Sequence, residues 1–370
     1  MPRIIAKEYP QEKLGSGFPL FSPAQSKNYL LSCDSIRVSD PWSFLGYTIR
    51  VSKHKTGAQL NMSQQKYLLD LLDQAEYFYE TAQGAPIKSQ PLLYYYAFMN
   101  LVKIVINLDK FEGNVKKYFH GVGESISAAS KLTNAEISLW PSTRTKLSIS
   151  ECLLKVLEDA PIPYATHRAG AEPSFNVRVI DLMRDCVGIN RTYSEIYNVP
   201  EHFFRITIHR CYSQRNRLMF VAQIEKCDDG IMAKLNTKGY NISKEATSDG
   251  YCYFLTVDSY VKTTPSPTIA EWHSLSKKLR NLGLWSYCDG NEYKTYISPT
   301  AFRMSSPAII YHAMFFFGSI TRYHPDLFDS ILTAKEFWLV SEFLKTQPQQ
   351  FLYYILSYIN GTEVLFSKQA

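Results

Sequence analysis

Apolar residues recur along this chain with two different periods, and the change from one to the other divides it. After Ser63, the expected N-cap, Leu68, Leu71, Leu72, Ala75, Phe78 and Ala82 return every three or four positions. That spacing places one stripe of a helix against a core, and Gly84 with Pro86 ends it. The next helix is expected from Pro91, whose missing N–H costs nothing at a first helical position, to Asn107. It is apolar nearly all round, so neighbours are expected on every side. Tyr96, Asn100, Lys103 and Asn107 recur at helical spacing and share one face. A polar stripe on a buried helix needs partners from protein, water or a ligand.

The middle of the chain shifts toward Val, Ile, Phe and Tyr between turn residues. Asn176–Ile180, Phe203–His209, Leu218–Ile224 and Tyr251–Val257 are expected as antiparallel strands, with a hairpin turn at Ser213–Asn216. Short strands are also expected at Ser35–Val38 and Tyr47–Val51. Ser148-x-x-Glu151, Thr268-x-x-Glu271 and Thr333-x-x-Glu336 have capping-box spacing and predict helices following each, the second ending at Gly283. Helical spacing returns over Pro307–Thr321, Ala334–Lys345 and Pro348–Asn360.

The fold class predicted is α+β, mainly α. Residues 1–60 form an irregular segment, 61–160 a helical region, 161–300 a β-containing middle and 301–370 helices that complete the bundle begun by 61–160. The two apolar runs, Pro91–Ile106 and Pro307–Ile320, are interrupted by Asn100, Lys103 and His312 and are expected as core helices rather than membrane spans. No signal-peptide pattern opens the sequence, and a cytoplasmic setting is expected.

Composition refines this picture little. Of 370 residues, 45% are hydrophobic and 20% charged, as in ordinary globular domains. The net charge of +6 permits an anionic partner without requiring one. Seven scattered cysteines with no CxxC pair argue against a disulfide framework or a zinc knuckle. No nucleotide-loop, nucleophile-elbow or zincin motif occurs, and neither a metal nor a cofactor is expected.

Three places could carry chemistry. His120 closes the run Lys116-Lys117-Tyr118-Phe119-His120-Gly121. Neighbouring cations favour the neutral imidazole that a general base needs, although a His before a left-handed Gly also serves as a plain turn residue. Arg322 and His324 follow the second apolar helix, where they could bind its free carbonyls or, if the bundle closes, meet His120. Arg205 and His209 share one face of a predicted strand, with Arg210, Arg215 and Arg217 following. Such a face could hold phosphates, or simply be solvated. The expected partners are RNA or DNA, or alternatively a protein partner or a second copy, with no membrane.

Two blocks carry a family resemblance. Ala85-Pro86, then Ser89-Gln90-Pro91-Leu92-Leu93-Tyr94-Tyr95-Tyr96, Asn100-Leu101-Val102-Lys103 and His120-Gly121-Val122 form the first. Pro307 through Ile320-Thr321-Arg322-Tyr323-His324-Pro325 forms the second. In order and separation they resemble the bacterial YaaC-like family, over about residues 35–365. The first block is also similar to HEPN-type helical domains, many of which are ribonucleases of toxin–antitoxin or antiphage systems. Their activity usually rests on an Arg followed four to six residues later by His. Arg322-Tyr323-His324 is too closely spaced for that motif, and Arg205 and His209 fall on a predicted strand. The resemblance therefore implies a HEPN-like bundle acting as a nucleic-acid- or partner-binding component of stress or antiphage defence. The alternatives are a divergent metal-independent ribonuclease, with His120 as acid or base and Arg322 and Lys117 stabilising charge, and a structural subunit of a complex.

Overall fold

The structure is a computed structural model. It describes residues 36–51, 60–109, 117–126, 131–157, 159, 161–166, 172–214, 217–247, 250–260, 278, 284–299, 304–360 and 363–366, with the side chains of 208–220, 258–260 and 284 outside that description. The protein is mixed α/β and divides into two compact units.

The helical unit takes in Arg37–Glu201 and Phe302–Asn360. Its elements in chain order are α1 (Pro41–Val51), α2 (Met62–Gly84), α3 (Gln90–Asp109), β2 (Lys117–Phe119), β3 (Val122–Ser125), β4 (Glu136–Leu139), β5 (Lys146–Ser148), α4 (Ile149–Val156), β6 (Phe175–Arg178), α5 (Val179–Arg184) and α6 (Asn190–Tyr197), after the short strand β1 (Ile36–Val38). They resume with α8 (Ser306–Tyr323), α9 (Pro325–Leu332) and α10 (Phe337–Asn360). The helix α3 packs against α2, α4, α8 and α10, as its all-round apolar surface demands. α3 is also long and apolar enough to cross a membrane by length and composition, and most of it is buried inside the protein.

Aromatic stacking binds these helices. Phe98 of α3 stacks on Phe351 of α10 with ring centroids 4.0 Å apart, and both rings are fully buried. Gly318 of α8 sets the closest approach to α3. A Cβ there would stand 3.1 Å from Cβ of Tyr95 and 3.2 Å from the Pro91 carbonyl, so any larger residue would push α3 and α8 apart by a few tenths of an ångström. Two small sheets flank the helices: β2 pairs in parallel with β5, and β3, β4 and β6 form an antiparallel trio.

The second unit centres on His202–Ala301. Its antiparallel sheet runs in the order β11 (Leu284–Cys288), β12 (Tyr293–Ile297), β7 (Phe204–Gln214), β8 (Arg217–Ile224), β10 (Gly250–Tyr260) and β9 (Ile242–Thr247), with α7 (Asp229–Thr237) between β8 and β9. Tyr240 donates to the Ser298 carbonyl at 3.2 Å, and Ile36 donates to the Glu363 carbonyl, just before β13 (Val364–Phe366), at 2.8 Å.

Several sequence expectations are corrected here. Tyr47–Val51 is the second half of α1, not a strand. Asp40 accepts backbone N–H bonds from Trp42 and Ser43, and Trp42, Leu45 and Ile49 bury one helical face, which outweighs the local β-branched character. The N-cap of α2 is Asn61, in a reciprocal capping box with Gln64, rather than Ser63. Thr333 and Glu336 form no capping box: the Thr333 hydroxyl bonds back to carbonyls of Asp329 and Ser330, and Glu336 accepts from Tyr197. The two expected C-terminal helices are one, α10, which runs through Pro348. Burial of Leu344, Pro348, Phe351 and Leu352, with Gln347 donating to the Val187 carbonyl, offsets the bond that the proline removes. The strand expected at Asn176–Ile180 ends at Arg178, where Val179 and Ile180 turn inward to open α5. The helix expected after Thr268 lies outside the described residues, Lys278 apart.

Candidate functional site

Three elements of the helical unit enclose a cavity of about 190 Å³. The turn after β2 presents His120 to it, and the strand β3 presents Val122, Gly123 and Glu124. The helix α8 presents Phe315, Ser319 and Arg322, one helical face at spacings of four and three. From α3 come Tyr95 and Tyr96.

His120 is held by Tyr95, whose hydroxyl lies 2.5 Å from Nδ1. Burial raises the Tyr95 pKa well above 10.0, so the phenol keeps its proton. Burial also lowers the pKa of His120 below 6.5, and repulsion from Lys103 and Arg322 lowers it further. The imidazole is therefore neutral near pH 7. A neutral ring that accepts at Nδ1 carries its proton on Nε2. Tyr95 itself is wedged among the rings of Tyr311, Phe315 and His120.

Arg322 is exposed on the last turn of α8. One Nη donates to the Tyr96 hydroxyl at 3.2 Å, and the guanidinium carbon lies 4.9 Å from the centre of the Tyr323 ring. An arginine fixed at two points presents its remaining donors in a set direction, which suits a phosphate or carboxylate. Glu124 accepts from the Ser319 hydroxyl at 2.6 Å and lies 3.8 Å from His324 Nε2. The site thus combines a cation, a neutral imidazole, a carboxylate and aromatic walls.

A supporting layer fixes the backbone at His120. Gly121 has φ +69°, and a Cβ there would fall on the Ser148 side chain. The Ser150 N–H donates to the His120 carbonyl at 3.2 Å. The Ser150 hydroxyl is 2.6 Å from Nε2 of the buried His312, whose Nδ1 meets the Ala308 carbonyl at 2.7 Å. The carbonyl can only accept, so His312 donates from Nδ1 and accepts the Ser150 hydroxyl at Nε2.

The residues of the polar stripe on α3 have separate partners. Tyr96 takes Arg322, Asn100 donates to Gln74 at 3.4 Å, and Asn107 joins Tyr118 and the Lys103 carbonyl. Burial lowers the pKa of Lys103, and its charge reaches His120. Lys117 is exposed on β2 and is not among the residues lining the cavity.

The basic strand face lies in the other unit. Arg205 sits within 3.5 Å of Glu225 and 3.6 Å of Glu292, so two carboxylates offset its charge. The register of β7 shifts between Ile208 and Arg210, which interrupts the clean alternation read from the sequence at His209. His209, Arg210 and Arg217 lie on β7 and β8 with side chains outside the description, and Arg215 lies outside the described residues.

Sequence reasoning did not single out Tyr95, Glu124 or Ser319. Glu124 carries no local signal, because the left-handed Gly121 breaks any alternation with His120. Ser319 stands three residues before Arg322 and so shares its helix face. For Tyr95, within Tyr94-Tyr95-Tyr96, no local feature distinguishes which ring turns toward His120. Among the described residues no group of three or more His, Cys, Asp or Glu could hold a metal ion.

The family model described as YaaC-like Protein matches residues 19–359, and the chain belongs to that family. No curated protein and no solved structure matches.

Proposed function

We propose that this YaaC-like chain binds single-stranded nucleic acid at the cavity between α3, β3 and α8, as a sensing component of bacterial stress or antiphage defence. The observation that carries this reading is the shared cavity of Arg322 and His120, with Arg322 anchored on Tyr96 and Tyr323. Arg322 offers charge-assisted bonds to a phosphate, His120 a neutral polar contact, and the exposed Tyr323 ring a face for stacking. The setting in defence and the HEPN-like character of the bundle come from the sequence resemblance and belong to the same proposal.

Binding rather than cleavage is favoured by the state of His120. Where the Tyr95 phenol donates to Nδ1, the proton sits on Nε2 and the ring is a donor with no free basic nitrogen. The test is fluorescence anisotropy of labelled single-stranded RNA and DNA at rising salt. The expected result is binding that weakens with salt and is lost in Arg322→Ala. Binding that ignores salt, or that Arg322→Ala leaves intact, overturns the proposal.

The second reading is a metal-independent ribonuclease, favoured by the meeting of a neutral histidine and a fixed arginine in one cavity. It requires the Tyr95–His120 pair to exchange tautomers so that Nε2 becomes the base. RNA cleavage in the presence of a chelator, abolished by His120→Ala, would establish it. Cleavage undiminished in that variant would remove it.

A further inference from the structure

Neither reading above uses Glu124. Its carboxylate lines the same cavity as Arg322, and the Ser319 hydroxyl, donating to Oε2 at 2.6 Å, fixes its direction. β3 holds the backbone beneath it, with Glu124 opposite Ile137 of β4. A carboxylate repels a phosphate, so a ligand group lying against Glu124 presents hydrogen-bond donors or positive charge, as Ser319 and His324 of the protein do. The ligand therefore carries an anion for Arg322 and, at another point, a donor edge for Glu124. A nucleotide has both.

We infer that Glu124 reads a guanine base in this cavity. The inference rests on the nucleic-acid-binding reading and names the base it selects. At about 190 Å³ the cavity is smaller than the roughly 300–1,000 Å³ of pockets that enclose drug-sized ligands. It suits one ring system, flanked by Tyr95, Tyr96, Phe315 and Tyr323, with sugar and phosphate left at the rim beside Arg322. Guanine alone among the four RNA bases places two N–H donors, on N1 and N2, side by side on its pairing edge. A carboxylate accepts both at once. Adenine and cytosine set an acceptor beside their single exocyclic donor, and uracil flanks its N–H with two carbonyls. Each of these turns a lone pair toward Glu124. Exclusion of the other bases thus follows from the same charge that accepts guanine.

The experiment is calorimetric titration of the full chain with the 5′-monophosphates of guanosine, adenosine, cytidine and uridine, repeated with Glu124→Gln. Tighter binding of the guanosine nucleotide by roughly tenfold to hundredfold is expected, the worth of one good bidentate base contact. In Glu124→Gln, where one acceptor becomes a donor, that ratio should fall close to one. Thermal unfolding monitors the fold of the variant. Should it fail to fold, Ser319→Ala, which removes the hydroxyl aiming the carboxylate, should reduce the preference. Equal binding of all four nucleotides overturns the guanine assignment and leaves the binding reading standing. A guanosine preference that survives Glu124→Gln in folded protein overturns the role of Glu124. Binding of none of the four overturns both.

Discussion

The Tyr95 hydroxyl stands 2.5 Å from Nδ1 of His120, and it can donate there only while the ring is neutral at that nitrogen. Burial keeps the phenol protonated and lowers the pKa of the imidazole, so the two effects act in the same direction. Tyr95→Phe keeps the ring and removes the donor. The His120 pKa should rise modestly as a donor to the neutral ring is lost, while burial and the Lys103 and Arg322 charges still hold it below 6.5, measured by NMR titration of the imidazole, with a stability loss of about 1 kcal/mol. An unchanged titration would show that the bond does not set the state of His120.

Gly121 holds a left-handed backbone against Ser148. Gly121→Ala meets both a conformational penalty and an overlap with the Ser148 side chain, and should cost about 2–4 kcal/mol in denaturant unfolding. The same substitution should shift His120 and weaken ligand binding even where the protein remains folded. Gly84, with open space around its Cα and no positive φ, is the control, and alanine there should cost little or stabilise slightly.

Acid should destabilise the helical unit through His312. Burial lowers its pKa from 6.5 to about 4. Between those values the unfolded chain takes up a proton that the folded one refuses. Stability from this group is whole above pH 6.5 and lost as pH falls through about 4, by about 3 kcal/mol in all. His312→Gln should be less stable at pH 7 but show a shallower decline between pH 6.5 and 4 in thermal melts. An equally steep decline would place the acid sensitivity elsewhere.

Glu363 works in the opposite sense in the other unit. Burial raises its pKa from 4.5 to about 8, with the Glu292 charge adding to the effect. Its stabilising share is whole below pH 4.5 and lost as pH rises through about 8. Glu363→Gln, neutral at every pH, should therefore melt higher than the parent at pH 8.5 and close to it at pH 5. A variant that melts lower at pH 8.5 would refute the assignment.

Periodicity made the central helices legible because α3 and α8 bury so much of their surface that no other element accommodates their sequences. The antiparallel hairpin of β7 and β8 was legible for the parallel reason, two strongly β-forming runs around a polar turn. The reading failed where tertiary contacts outvoted local preference: at Tyr47–Val51, bent into a helix by Asp40 and the burial of Trp42 and Ile49, and at Pro348, carried inside α10 by its packing. His120 and Arg322 could be named as candidates from their flanking residues. Their meeting depended on the packing of α8 beside α3, closest at Gly318, and local sequence does not state that packing. Glu124 was harder to see, since one carboxylate on a short strand looks like any solvated residue until the facing helix is known.

The bond from Ser319 to Glu124 spans 195 positions of sequence. During synthesis at roughly 5–20 residues per second, on the order of 10–40 seconds separate the emergence of the two sides. Throughout that interval the face of α3 that meets α8 lacks its partner, an apolar surface open to chaperones and to neighbouring nascent chains. The cavity is incomplete until α8, which begins at Ser306, has left the ribosome. A truncated product ending before α8 has an exposed α3 and no site, which makes it prey for quality control rather than a competitor of the finished protein.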